Sequence, residues 1–254
     1  MEVHAHTHTA RKNWTHYLWE FLMLFLAVFC GFLAENQREH YIENQREKQY
    51  VAQLYEELKF DTLAFSEMSR LMQHHLQHYD SVSRLFQEQT VFTDDEFVRI
   101  TRSLLSYYNP FNISTTFQQM KSSGSLRYIH SADLRNSISD YYDTHISRLL
   151  TLFEYINAKV HTQIEPFFAE HFDLNVTQFY FNAGDQSLPP NLKYYNRTES
   201  SDLLIKNYFK MYYNGVHFIC YEPLRYINGR ATELIKKLQK EYHLSADRRT
   251  PSEK

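Results

Sequence analysis

Residues 17–53 read YLWEFLMLFLAVFCGFLAENQREHYIENQREKQYVAQ, and the change of character after Ala34 sets the organisation of the chain. Phe21 to Ala34 is apolar without a break, and extending it back to Tyr17 adds one charge, Glu20. As a helix, these residues span about 27 Å, close to the roughly 30 Å hydrocarbon core of a bilayer. Both tryptophans, Trp14 and Trp19, flank Tyr17 at one end of the run, where an aromatic belt belongs. A signal-peptidase site is poor, because Phe32 occupies the −3 position before Ala34. A lipoprotein site at Cys30 is poor as well, because bulky Phe29 precedes it. Residues 17–34 are therefore expected to form a transmembrane helix. The stretch that follows repeats itself, ENQREHYI and then ENQREKQY. It is rich in helix formers and lacks Gly and Pro, but has too few apolar residues to bury a face. Residues 35–53 read as a solvated helical stalk.

Outward from this segment, composition narrows the remainder. The chain has 254 residues with only 5 Gly and 6 Pro, too few for a fold built on many tight turns. No G-x-G-x-x-G or G-x-x-x-x-G-K-[ST] occurs, so the common phosphate-cradling loops are missing. The 27 basic and 30 acidic residues are interspersed, which disfavours nucleic acid as a partner. The mean hydropathy of −0.56 resembles that of a soluble protein, although it averages one concentrated apolar run with a polar remainder. The two cysteines, Cys30 and Cys220, are not expected to pair, because Cys30 lies inside the apolar run.

Apolar residues from Leu54 recur at three- and four-residue steps (Leu58, Phe65, Met68, Met72, Leu76, Tyr79, Leu85, Phe86), predicting helix to about Gln89. Thr93 and Glu96 make a capping-box pattern that opens a short helix through about Tyr107, which Asn109-Pro110 ends. A further short helix ends near Ser122. Gly124 then supplies a turn and Ser131 caps the next helix. That helix carries Leu134, Ile138, Tyr141, Leu149, Phe153, Ile156 and Val160 on one face, and Pro166 is expected to end or kink it. Residues 172–200 read as a long connection. The last helix is expected from about Ser201 to His243, with a stripe of Leu204, Tyr208, Met211, Gly215, Ile219, Tyr226, Leu234 and Leu238 and a bend at Pro223. The expected fold is all-α: a short polar tail (1–16), the transmembrane helix (17–34), the stalk (35–53), an antiparallel helical bundle (54–244) and a disordered tail (245–254).

Few constellations point to chemistry. Glu20, Ala27, Gly31 and Ala34 fall on one side of the apolar helix, and small residues let helices approach closely, so this face is a candidate for association within the membrane. His74 and His78 are four apart on a predicted helix and could chelate zinc or copper with a third ligand such as His161, Glu165 or His171. His4, His6 and His8 alternate in the tail and suit at most adventitious metal binding. Asp140, Asp143 and His145 cluster by sequence near Tyr141 and Tyr142. No E-x-x-H, H-E-x-x-H or G-x-S-x-G occurs, so no catalytic residue and no cofactor is expected.

Two blocks carry a resemblance. Glu20 to Glu39 (E, an apolar run, then A-E-N-Q-R-E) and Lys121 to Tyr142 (KSSGSLRYI, then LRNSISDYY) resemble an uncharacterised group of single-pass membrane proteins from Bacteroidota, as does the opening MEVHAH. The resemblance implies an N-terminal anchor followed by a helical domain and supplies no activity. Arg11 and Lys12 before the span, against Arg38, Arg46 and Lys48 after it, leave the charge rule undecided. Long domains translocate largely regardless of charge, so the expectation is a bacterial inner-membrane protein with its short tail cytoplasmic and its large domain periplasmic. The expected partners are the lipid bilayer and either a second copy or another membrane protein. The expected function is a non-enzymatic structural or interaction role at the cell envelope, and two others remain open: a ligand-binding or sensory domain acting through a partner, and a metal-dependent enzyme.

Overall fold

The structure is a computed structural model that describes residues 14–88, 91–172 and 193–244. It falls into two compact units, Met1–Gln49 and Tyr50–Lys254. The expected tails, including Arg11 and Lys12, lie in whole or in large part outside the described residues, as does most of the 172–200 connection. The fold is all-α. Among the described residues no strand forms, and one isolated bridge joins Phe172 and Tyr194. Helix α1 spans Trp14–Gln87 and contributes to both units. Helices α2 (Asp94–Thr101) and α3 (Thr115–Ser122) follow. Helices α4 (Ala132–Ser139), α5 (Ser147–Lys159) and α6 (Glu165–His171) are joined without a break by π-helical turns at Asp140–Ile146 and Val160–Ile164. Helices α7 (Glu199–Asn214) and α8 (Glu222–Tyr242) are joined likewise through Gly215–Tyr221.

Cross-contacts give the direction of each leg of the second unit. Along α1, Glu57, Asp61 and Tyr79 bond Thr116, Ile113 and Ser103, so the 91–131 segment runs back down the helix. Lys237 reaches Asp133, Arg230 reaches Asp140, and Gly215 packs on Ile156, so α7–α8 runs antiparallel to α4–α6. Gln239 with Tyr55 and Asn228 with Ser66 make it antiparallel to α1 as well. The result is an up-down-up-down bundle whose second leg is irregular.

Local signals act where they were expected. Thr93 and Glu96 close a capping box, Ser131 Oγ accepts from Leu134 N at 3.2 Å, and Gly124 turns the chain at φ 70° after α3. Three expectations need correction. Pro166 does not end its helix, because it sits two residues after a π turn, as Pro223 does. Proline lacks the N–H and crowds the carbonyl four residues back, and the widened turn supplies the room. The core stripe of α7–α8 is Ile205, Phe209, Tyr212, Val216, Cys220, Leu224 and Ile227; Leu204, Met211 and Tyr226 are exposed. Leu85 is exposed too, and Val82 takes its place in the core.

Candidate functional site

In the first unit, α1 carries one 18-residue window of mean hydropathy 2.0 with none of it buried, long and apolar enough to cross a membrane. Glu20, Ala27, Gly31 and Ala34 are exposed on it, and a Cβ added at Gly31 would meet nothing within 4 Å. Their spacing of seven, four and three residues keeps them on one side of the helix. Glu20 Oε1 lies 3.1 Å from His16 Nε2, one turn earlier. Cys30 is exposed and unpaired.

In the second unit, two surface grooves are lined by residues of facing legs. An apolar groove of about 350 Å³ lies between α5 and the last leg, with Tyr155, Ile156, Met211, Gly215 and Phe218 on its walls. Tyr155 is 52% exposed and Phe218 63%; Lys159 Nζ lies 5.4 Å from the Tyr155 ring and His217 meets Phe218 edge-on at 4.4 Å. Gly215 is what lets the two legs meet here, since a Cβ on it would sit 2.6 Å from Ile156 Cδ1. A polar groove of about 540 Å³ lies between α1 and α8, lined by Ser66, Arg70, Gln73, Tyr221, Arg225 and Asn228. Asn228 Nδ2 donates to Ser66 Oγ across it at 3.0 Å. Each arginine has an acidic neighbour: Glu67 bonds Arg70 at 2.7 and 2.9 Å, and Glu222 lies 3.6 Å from Arg225.

The histidines divide by exposure. His74 and His78 are exposed on α1, while His75 between them is half-buried. His75 Nδ1 lies 2.6 Å from the Tyr108 hydroxyl, and burial, aided by its two histidine neighbours, lowers its pKa. Among the described residues no group of three His, Cys, Asp or Glu side chains is placed to hold a metal ion. His171, raised as a third ligand, instead places Nδ1 3.1 Å from the Tyr195 carbonyl. His4, His6 and His8 lie outside the described residues. The other suggested ligands, His161 and Glu165, meet each other. Their Nδ1–Oε2 distance is 2.7 Å, and the Tyr107 hydroxyl contacts both, at 2.8 Å from His161 and 2.6 Å from Glu165. Burial works to raise the Glu165 pKa, but these hydrogen bonds outweigh it and hold the carboxyl below its ordinary value. A carboxylate on Nδ1 fixes the orientation of an imidazole, which suits a positioned base or ligand.

Asp140 and His145 pair at 3.1 Å, and Arg230 adds to Asp140 at 3.5 Å. Asp143 instead pairs with Lys121 at 2.7 Å. These surface pairs are ordinary bundle electrostatics. Beneath them Tyr141 and Tyr142 are buried, and their hydroxyls have no hydrogen-bond partner among the described residues. On α1, Asp61 is fully buried. Its Oδ1 accepts from Ile113 N at 2.7 Å, while Oδ2 accepts from no described residue. Asp61 is not among the residues expected from the sequence, although a signal for it is present there. From Val51, α1 keeps a seven-residue repeat through Leu58, Phe65, Met72, Tyr79 and Phe86, and Asp61 falls midway between Leu58 and Phe65 on the same seam. Cys220 is buried and its thiol is pushed up to about 12, so it is a packing group rather than a nucleophile. No family model, curated protein or solved structure matches the chain.

Proposed function

We propose that the chain is a single-pass protein of a bacterial inner membrane that works by association. Residues 17–34 of α1 anchor it, and the helical unit from Tyr50 onward presents a binding surface to a second copy or to another membrane protein. The observation that carries the reading is the apolar window of α1, with no residue buried, which water would not tolerate uncovered. The Glu20, Ala27, Gly31 and Ala34 face supplies close approach within the bilayer. The apolar groove beside Tyr155 and Phe218 supplies a second contact surface. The residues before the span are cytoplasmic and the large unit is periplasmic, since long domains cross largely regardless of charge. Kinship with the Bacteroidota group of single-pass proteins belongs to this proposal.

Three measurements test it. After alkaline carbonate washing of membranes, the protein remains in the pellet with residues 17–34 still attached; release, or a mature chain that lacks them, removes the anchor. In spheroplasts, added protease digests a C-terminal tag; a protected tag reverses the orientation. Crosslinking in membranes captures a second copy or a partner, and Gly31→Ile weakens it; a chain that is monomeric and captures nothing sinks the association. A second reading, a ligand-binding or sensory unit acting through a partner, is favoured by the polar groove between α1 and α8. Ligand-induced stabilisation lost in Arg225→Ala would select it.

A further inference from the structure

Residues five apart do not meet on an α-helix. They are turned about 140° from each other and set about 7.5 Å apart along the axis. Two of the π turns nevertheless join a carboxylate and an imidazole at that spacing. Asp140 Oδ2 lies 3.1 Å from His145 Nε2, and His217 Nε2 lies 3.8 Å from Glu222 Oε1. A π turn makes this possible, because its backbone bonds residues five apart. At the third turn the same two residues are joined twice, since the Glu222 N–H also donates to the His217 carbonyl. At the first turn Ser147 Oγ donates to the Tyr142 carbonyl, again five back, at 3.3 Å. The second turn, Val160–Ile164, differs. Its pair is His161 with Glu165, four apart, a spacing that an ordinary α-helix brings together as well.

As charge pairs these contacts are weak, because all four side chains are partly exposed. Their spacing gives them a second property, since each pair exists only while its π turn is formed. We propose that His145 and His217 are acid-strengthened clasps that hold the first and third π turns closed. With a proton on the imidazole, each contact is an ion pair that favours the π turn. Without it a neutral ring faces the carboxylate and the charge attraction is gone. The clasp is therefore present on the acid side and lost as pH rises through the range in which imidazoles change charge. Around His145, α8 contributes Tyr226, edge-on at 5.5 Å, and Arg230, 3.5 Å from Asp140. Asp143 of the same turn is held by Lys121 of α3 at 2.7 Å. Around His217 are Tyr213 and Tyr221, stacked at 6.0 and 6.2 Å, and Arg225, 3.6 Å from Glu222. Lys159 of α5 and Arg70 of α1 line the two grooves that this turn borders. Guanidinium and ammonium groups keep their charge across the imidazole range, so the imidazole proton is what varies. The third turn supplies Gly215 and Phe218 to the apolar groove and Tyr221 to the polar one, so its clasp steadies a wall of each.

The test uses the full chain in detergent micelles. Hydrogen exchange is followed at pH 5 and pH 8, on either side of the imidazole range, with each rate referred to that of the unfolded amide at the same pH. In the wild type, the amides of 140–147 and of 215–222 are expected to be about two- to fivefold better protected at pH 5 than at pH 8, the size of a partly exposed ion pair. Glu222→Gln removes one charge without changing shape. It should abolish the pH change at 215–222 and leave that at 140–147. Asp140→Asn should do the reverse. Both carboxylates are partly exposed, so the fold is expected to survive either change, and in each variant the untouched turn reports on it within the same molecule. Wild-type protection that does not depend on pH, or two variants that act alike on both turns, overturns the proposal.

Discussion

The guanidinium of Arg197 ties three segments of the second unit together. Nη1 donates to Asp94 at 2.9 Å and to the Phe92 carbonyl at 3.1 Å, and Nη2 donates to Asp202 at 3.1 Å. Its plane lies 4.9 Å from the Phe97 ring and 5.4 Å from that of Tyr194. Replacing it with Met removes the fork and leaves two carboxylates facing each other. The pairs are partly exposed, so the loss is expected at about 2 kcal/mol rather than the larger cost of a buried pair. Lys should recover less than half, since a point charge cannot fork or stack. Urea unfolding at two salt concentrations checks both, and a neutral Arg197→Met would refute the clamp. Gly124 is a cleaner case. At φ 70° it needs no space that a Cβ would take, so Gly124→Ala should cost about 1 kcal/mol from backbone strain alone. These two residues differ in how visible they are from sequence. Gly124 and the Thr93–Glu96 box act on neighbours within a few positions and can be read directly. Arg197 acts on residues about a hundred positions away, which no local pattern encodes.

At the scale of elements, the π turns count residues. Buried positions from Leu134 to Phe168 recur over nine turns in 34 residues, where nine α-helical turns take about 32. Two π turns supply the difference. From Ile205 to Leu238 nine turns take 33 residues, and there is one π turn. On α1, Val51 to Phe86 takes 35 residues over ten turns, a 3.5-residue period that a supercoiled helix follows without insertions. The expected stripe of α4–α6 matches the buried one, whereas that of α7–α8 is one residue off from Leu204 onward, before its π turn, so there the starting phase and not the extra residue sets the offset. The 3.5-residue period of α1 explains why Asp61 went unremarked, because a polar residue is conspicuous only once the seam is counted in sevens. Deleting Phe218, an exposed residue of the third π turn, should leave the helix regular but turn its second half by about 100°. Leu224, Ile227, Ala231 and Leu234 then leave the core, and cooperative unfolding should be lost. Deleting Tyr242, in the last turn, should cost little. Equal behaviour of the two deletions in circular-dichroism melts would show that the π turns carry no register.

At the scale of the whole molecule, the all-α fold and the long apolar helical run were legible, because both rest on runs of many residues. The grooves and the His161–Glu165–Tyr107 contact were not, because they depend on which legs face each other. The burial pattern follows the two units, although Glu47 of the first is buried. Among the described residues, every side chain of the hydrophobic core belongs to Val51 or a later residue, while every residue of 17–34 is exposed. Residues 50–254 should therefore fold without what precedes them. Expressed alone, this segment is expected to stay in solution, keep its helicity and unfold in one transition, within ~0.5 kcal/mol of the full chain in micelles. Its exposed apolar groove remains, so weak self-association at high concentration is compatible with that outcome. Residues 1–49 fused to a soluble reporter should carry it to the membrane fraction. If 50–254 instead collapses without a cooperative transition, the core needs residues before Tyr50, and a division of labour between anchor and bundle no longer holds.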